Sequence, residues 1–215
     1  MRRRIVVLGI SIITAFGFAA AIVYQQFSAE GESVLPPPDP NALVRAHSPV
    51  IGPANAPVTI VEFFDPSCGA CRALHPIVKQ IMAKHLGDVR LVIRYVLFHK
   101  ASDETARILE AAHGQGLFEP VLEAILEAQA EWHADPKAQK AWEAAGAAGL
   151  DVEKARQVSR SPEVDAVLSK DMADVKTIGV RRTPTLFVNG KPLTKLGAEP
   201  LQELVQSEID RAATR

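Results

Sequence analysis

The sequence predicts an α/β fold in which a block of helices interrupts a single sheet. An apolar, β-branched run at 58–64 is followed by a helical segment and a second apolar run at 89–98, the pattern of a parallel β-α-β unit. From 102 to 177 the chain is rich in alanine, glutamate, leucine and lysine and has no strand-like run. Strands return at 184–188, and Asn189-Gly190 then predicts a tight hairpin turn. The predicted order is therefore β-α-β, helices, β-β-α.

Glycine, proline and capping residues mark the ends of the predicted helices. The first helix extends from about Cys68 to Leu86, where Gly87-Asp88 ends it. Markers inside the helical block predict four or five helices there. These markers are Gly114-Gln115-Gly116, Asp135-Pro136, Gly149, Asp151 and Ser161-Pro162-Glu163. A return strand at 191–196 and an amphipathic helix at 198–213 complete the pattern.

The N-terminal segment predicts export from the cytoplasm. Three arginines, 2–4, precede a nearly uninterrupted apolar run at 5–24. At 1.5 Å per residue, about twenty residues cross a bilayer core of roughly 30 Å. The sequence thus predicts an anchor in the inner membrane over 1–27, with the arginines cytoplasmic and the body of the protein periplasmic or otherwise extracytoplasmic. A cleaved signal peptide with Ala19-x-Ala21 as its small-residue site is the alternative.

The remaining chain divides by composition. Residues 28–57 contain a cluster of prolines and predict an extended, semi-rigid linker. The strands and flanking helices at 58–100 and 180–215 form the predicted main domain, and 101–179 form an inserted helical subdomain. Hydrophobic residues make up 47% of the chain, enough for a sizeable core, and a net charge of -1 indicates no nucleic-acid partner.

The chain has only two cysteines, Cys68 and Cys71, and they lie where the first strand meets its helix. A pair at this spacing and position is typical of a redox site. A bridge between them would close a very short loop and so constrain the unfolded chain little, which favours a chemical role over a structural one. A zinc site would need further ligands at suitable spacing, and the histidines are scattered, so we expect neither a metal nor a cofactor. A zinc site and an inert bridge stay as alternatives.

The position of Cys68 at a helix N-terminus favours its thiolate. Unpaired backbone N–H groups and the positive end of the helix dipole both lower a thiol pKa there. Disulfide exchange needs such a thiolate and a second thiol, which Cys71 supplies. The intervening Gly69 and Ala70 have little bulk, so the backbone of a partner can approach the sulfur.

Two motifs carry a resemblance to a known family. The first is Phe63-Phe64-Asp65-Pro66-Ser67-Cys68-Gly69-Ala70-Cys71, and the second is Arg182-Thr183-Pro184-Thr185-Leu186-Phe187-Val188-Asn189-Gly190. In this order they resemble the thioredoxin superfamily, and the helical insertion resembles its DsbA-like branch. The resemblance covers about 50–215, and the anchor and linker make the chain similar to membrane-anchored BdbD/DsbA-type thiol–disulfide oxidoreductases. It implies a thioredoxin fold with an inserted helical domain.

The resemblance also implies roles for particular residues. Cys68 would be the exposed nucleophile and Cys71 the buried resolving thiol. Pro184 would be a cis-proline beside the disulfide, and with Thr183 before it would bind substrate. Glu62 matches the family's buried acidic residue beneath the active site. The dipeptide Gly69-Ala70 departs from the DsbA pattern, since it lacks the histidine that strongly stabilises a thiolate.

Other residues near these motifs have two interpretations. Strand alternation could instead point Glu62 to solvent. The Asp65 carboxylate is expected to shape the turn and to be solvated rather than catalytic, and His75 is expected to be structural. Arg181 and Arg182 could attract acidic partners or form a solvated basic pair.

Together these features predict an extracytoplasmic thiol–disulfide oxidoreductase that acts as an oxidant. Its substrates would be protein thiols and disulfides, and a membrane redox partner would recycle it. A dedicated reductase or isomerase for a few client proteins is one alternative. A membrane-tethered metal- or protein-binding module is the other.

Overall fold

The structure, a computed structural model, describes residues 39–214. The predicted anchor or signal segment and the first part of the predicted linker lie outside the described residues. Between 39 and 214, no helix is both long enough and apolar enough to cross a membrane.

One mixed sheet organises the described residues. Its strands are β1 (Val50–Ile51), β2 (Val58–Phe64), β3 (Val89–Tyr95), β4 (Thr185–Val188) and β5 (Lys191–Pro192). They lie in the order β1-β3-β2-β4-β5. The β2–β3 pair is parallel, and each of the other pairs is antiparallel. The central strand β2 therefore has partners on both sides, and its apolar, β-branched sequence suits that buried position.

Nine helices flank the strands in the part of the chain that is described. They are α1 (Pro40–Leu43), α2 (Gly69–Lys84), α3 (Ser102–Gly114), α4 (Phe118–Glu127), α5 (Gln129–Trp132), α6 (Gln139–Ala147), α7 (Val152–Val158), α8 (Pro162–Ile178) and α9 (Ala198–Ala213). Helix α2 connects β2 to β3, and α3 to α8 form the block between β3 and β4. The prediction of four or five helices in this block missed one, because α5 is a single turn that directly follows α4.

The caps of α7 and α8 confirm the start signals in the sequence. Asp151 accepts a hydrogen bond from the backbone of Lys154, and Ser161 accepts one from Val164. Pro162 occupies the first turn of α8. A backbone N–H there would have no intrahelical acceptor, so the N–H that proline lacks is not missed. Helix α8 ends at Gly179, whose φ of 83° is the left-handed conformation that glycine adopts without steric cost.

The helical block and the sheet share one apolar core. Both cysteines belong to it, and so do buried side chains of the block such as Leu122 and Trp132. A second cluster on residues such as Phe63 and Phe187 packs against the side chains of α8. The active-site residues are thus packed against the insertion as well as the sheet.

A buried arginine ties the sheet to α8. Arg94 on β3 is fully buried, and its guanidinium contacts Asp171 at 2.8 Å and Asp174 at 2.6 Å. It also donates to the carbonyls of Ala42 and Leu43 at the end of α1. Since a buried charge is costly unless it is paired and hydrogen-bonded, this network explains how a charged residue fits in a central strand.

Three predicted boundaries need correction. The predicted linker, 28–57, contains α1 and β1, and the backbone at 50–51 pairs with β3. The strand predicted at 89–98 ends at Tyr95. The Val96 amide still donates to the Phe64 carbonyl, but those of Leu97 and Phe98 donate to the Met172 sulfur and the Asp65 carboxylate. The return strand predicted at 191–196 is only Lys191–Pro192, and a proline cannot donate to a ladder.

Candidate active site

The turn from β2 into α2 places Cys68 at the N-cap of the helix. Its φ of -79° and ψ of 121° are extended, so Cys68 directly precedes the first helical turn. The Cys68 amide donates to the Asp65 carbonyl at 3.0 Å, and the Arg72 amide donates to the Cys68 carbonyl at 3.1 Å. The Asp65 side chain accepts from the Ser67 amide, which is the local turn that aspartate favours.

Asp65 is fully buried, so the expectation that its charge is solvated is wrong. Its carboxylate accepts from the amides of Ser67 and Phe98, from the Ser102 hydroxyl and from the His99 ring, at 2.5–2.9 Å. These donors replace water around the carboxylate, which makes its burial tolerable. Asp65 therefore fastens the active-site turn to the connection between β3 and α3.

The structure brings the two cysteines together with the second sequence motif. Both thiols are free, and Cys68 and Cys71 are 7% and 0% exposed. The Cys68 sulfur lies 3.3 Å from the Thr183 carbonyl oxygen, and the Thr183–Pro184 peptide bond is cis. Gly69 and Ala70 are exposed beside the pair. The prediction that Cys68 is exposed is therefore wrong, although Cys68 is the less buried of the two cysteines.

The environment of Cys68 favours its thiolate. Its pKa is lowered to about 5, chiefly because the Cys71 thiol donates a hydrogen bond to it. Burial opposes this shift, and hydrogen bonds from the Thr183 side chain and from the backbone of Cys71 and Ala70 add to it. The last two donors are the N–H groups of the first helical turn, as the position of Cys68 predicts.

Cys71 shows the opposite shift. Its pKa is raised because its proton is held in the hydrogen bond to Cys68, because it is buried, and because of the charge of Glu62. The pair thus holds one proton, on Cys71, while Cys68 carries the negative charge.

Glu62 lies mid-strand in β2 and is 1% exposed, so the alternative that it points to solvent is wrong. Neither of its carboxylate oxygens has a hydrogen-bond partner among the described residues. Burial, and then the charge of Cys68, raise the pKa of Glu62 to about 8. An unpartnered carboxyl in an apolar environment keeps its proton at neutral pH.

The remaining candidates lie around this centre without a resolved chemical role. His75 is buried, and burial followed by the charge of Lys79 lowers its pKa, so the ring is neutral at neutral pH. Arg181 and Arg182 are exposed. No cluster of three or more metal-ligating side chains occurs within 39–214.

Gln129 is a contact that sequence reasoning missed. This buried residue of α5 donates its side-chain amide hydrogens to the carbonyls of Pro66 and Cys68. Glutamine is common in helices and carries no positional signal, so the contact becomes visible only once the insertion is packed against the active-site turn.

A family model described as thioredoxin matches residues 45–207 of the chain. Among curated proteins, the Na(+)/H(+) antiporter NhaA of Herminiimonas arsenicoxydans is 33% identical over 158 residues, which cover 74% of this chain and 24% of that protein. The antiporter NhaA 1 of Mycolicibacterium gilvum is 32% identical over 87% of this chain and 30% of its own length. The chain thus spans less than a third of these two relatives.

Solved structures share the fold over most of their length. A thioredoxin-like oxidoreductase from Silicibacter pomeroyi has a TM-score of 0.70 and 28% identity, over 83% of this chain and 99% of that one. Oxidised BdbD from Bacillus subtilis has a TM-score of 0.66 and 23% identity, over 76% and 94%. The alpha-DsbA1 of Wolbachia pipientis has a TM-score of 0.67 and 15% identity, over 82% and 95%. With its two cysteines at the start of α2 and its helices inserted between β3 and β4, the chain belongs to the thioredoxin family and shares its fold with BdbD and alpha-DsbA1.

Proposed function

We propose that this protein is an extracytoplasmic oxidant of protein thiols that works through the Cys68–Cys71 pair. The observation that carries the proposal is the asymmetry of the pair. Cys68 has a pKa of about 5 at the helix N-terminus, while the buried Cys71 retains its proton. Stabilising the thiolate stabilises the reduced form, and a stabilised reduced form makes the disulfide a better oxidant.

The reaction begins with the Cys68–Cys71 disulfide. A substrate thiolate attacks the Cys68 sulfur, the bond between the cysteines breaks, and Cys71 leaves with the electron pair. A second substrate thiolate then attacks the substrate sulfur of the mixed disulfide, and Cys68 leaves as its thiolate. The substrate gains a disulfide and the enzyme gains two electrons. A leaving thiol of low pKa departs faster, so the low Cys68 pKa promotes the second step.

Glu62 supplies the proton that this sequence requires. Cys71 leaves as a thiolate in a buried site, where an unprotonated sulfur is unfavourable. Glu62 holds a proton at neutral pH because its pKa is about 8, and once Glu62 is ionised its charge raises the pKa of Cys71, which favours a proton on that thiol. Transfer of this proton to Cys71 leaves the Glu62 carboxylate, which solvent reprotonates between turnovers.

Thr183 and Pro184 provide the docking edge for the substrate. The Thr183 carbonyl is 3.3 Å from the Cys68 sulfur, and Thr183 is half-buried. An extended substrate segment that pairs with the backbone of Thr183 would lie close to the Cys68 sulfur, which the substrate thiolate must attack. The exposed Gly69 and Ala70 leave room for that segment on the other side.

The cellular setting follows from the N-terminal sequence. We propose that residues 1–27 anchor the protein to the inner membrane, or are cleaved as a signal peptide, and that the body works in the periplasm. A membrane redox partner would reoxidise the cysteine pair after each turnover, since the reaction leaves both thiols reduced.

Replacing the resolving thiol tests the function. In Cys71→Ala, a substrate that attacks or is attacked by Cys68 cannot be released by Cys71, so disulfide-linked complexes should accumulate. They should be absent from Cys68→Ala, the matched control that retains the buried thiol. If Cys71→Ala forms no mixed disulfides with reduced or oxidised protein substrates, the chain is not an exchange enzyme.

A further inference from the structure

A buried side chain of the inserted helices binds the backbone of the active-site turn. Gln129 begins α5, lies 61 residues from Cys68 in the chain and is 3% exposed. Its amide nitrogen donates to the Pro66 carbonyl at 2.7 Å and to the Cys68 carbonyl at 3.1 Å. Both partners only accept, so the NH₂ group must face them, and both of its hydrogens are used.

One of these carbonyls belongs to Cys68, which carries the nucleophile, and the other to Pro66, two residues before it. Pro66 has no N–H, so its carbonyl is its only backbone polar group. The Cys68 carbonyl also accepts from the Arg72 amide, and the Cys68 amide donates to Asp65. The polar backbone atoms of Cys68 are therefore fixed from three directions: the end of β2, the first turn of α2 and the insertion.

The position of the Cys68 sulfur depends on this fixation. Donors at the start of α2 stabilise the thiolate, and the Thr183 carbonyl lies 3.3 Å from the sulfur. Hydrogen bonds weaken steeply as distance and angle depart from their optimum. A turn that is free to shift would hold the sulfur less well against the N–H donors at the start of α2, which stabilise the thiolate.

We propose that Gln129 is a positioning residue for exchange at Cys68, and that through it the inserted helical block determines how strongly the Cys68 thiolate is stabilised. Gln129 touches the turn and not the sulfur, so it acts through the geometry of Pro66 to Cys68. The insertion is then part of the redox site rather than only a cover on it. This inference rests on the proposed function.

The chain offers a matched pair of variants. Gln129→Met keeps the length and burial of the side chain and removes both N–H donors. Gln115→Met is the control, because the Gln115 side chain also makes two hydrogen bonds, at 3.1 Å each, but both join it to the backbone of Asp151 within the insertion. Gln129→Leu gives a second donor-free side chain if Gln129→Met does not fold.

The readouts are the acid dissociation constant of Cys68, from the ultraviolet absorbance of the thiolate against pH, and the equilibrium of the full chain with glutathione. In Gln129→Met we expect the dissociation constant to fall about three- to tenfold, which is equivalent to the loss of one hydrogen bond to the thiolate. The glutathione equilibrium should shift in the same proportion toward the enzyme disulfide. Gln115→Met should leave both values at those of the wild type, and it should cost less thermal stability because its hydrogen bonds are exposed.

A folded Gln129 variant with wild-type values for both readouts would overturn the inference. Equal shifts in the Gln129 and Gln115 variants would also overturn it, since the effect would then be general loosening of the insertion. Neither result affects the trapping of mixed disulfides by Cys71→Ala, which tests the proposed function separately.

Discussion

The unpartnered carboxyl of Glu62 should make stability depend on pH in a defined way. Between pH 4.5 and about 8 the folded protein keeps the Glu62 proton while the unfolded chain has released it. The folded state binds more protons, so this group lowers the free energy of unfolding as pH rises through that window. At about 1.4 kcal/mol per pH unit, the full window corresponds to about 5 kcal/mol, and we expect 3–5 because buried sites admit some water.

Glu62→Gln removes the titration and keeps the shape of the side chain. A buried amide has its own cost, but that cost does not change with pH, so the informative quantity is the difference between variant and wild type. Urea unfolding of the reduced proteins at several pH values should show this difference growing in favour of Glu62→Gln by about 3–5 kcal/mol between pH 4.5 and 8, then levelling. The titration of Cys68 is present in both proteins and largely cancels.

Glu208 provides a control of opposite sign. It is 7% exposed, and burial acts to raise its pKa, but the hydrogen bond from Lys191 and that residue's charge outweigh burial and lower it. Folded Glu208 is thus ionised where the unfolded chain is still protonated, so its contribution is present above its ordinary pKa and lost in acid. Glu208→Gln should therefore be destabilising at neutral pH and less so as pH falls.

A stability difference between Glu62→Gln and the wild type that does not vary with pH would refute the reasoning, because the Glu62 carboxyl would then be solvated.

Two further predictions concern the cysteines and the buried arginine. Alkylation of the reduced protein should modify Cys68 with a midpoint near pH 5 and leave Cys71 intact at neutral pH; a midpoint at the ordinary value of a free thiol would show that its surroundings do not stabilise the thiolate. Arg94→Met should lower the free energy of unfolding by about 3–5 kcal/mol in urea titrations, because it removes the buried cation that Asp171 and Asp174 share, although Asp174 keeps its pair with Arg45. Lys140→Met, which breaks an exposed ion pair with Glu143, should leave that free energy unchanged.

The strands and helices that the sequence predicts well are those with an unbroken local pattern. The run at 58–64 and the helix after Cys68 are examples, as are the caps at Asp151 and Ser161. The strand Val50–Ile51 was missed because two residues among prolines have no periodicity, and only pairing with β3 makes them a strand. Strand β3 was predicted too long because hydrophobicity continues past Tyr95, whereas the amides of Leu97 and Phe98 bind side chains and not the neighbouring strand.

The candidate site likewise contains residues that could be identified from the sequence and residues that could not. The cysteine pair and Thr183-Pro184 could be identified because their spacing and neighbours are distinctive in the sequence. The burial of Asp65 could not, since its donors come from His99 and Ser102 in the following connection and depend on how that connection packs. Gln129 was invisible for the same reason, because its acceptors are backbone carbonyls 61 and 63 residues away.

The reduction potential of the Cys68–Cys71 pair tests the central claim most directly. It can be measured by equilibrating the full chain with glutathione buffers and separating the oxidised and reduced forms. A Cys68 pKa of about 5 beside a protonated Cys71 predicts a stabilised reduced form, and hence a potential clearly above the value of about -270 mV found for thioredoxin. A value at or below about -270 mV would contradict the assignment as an oxidant and would favour a reductase.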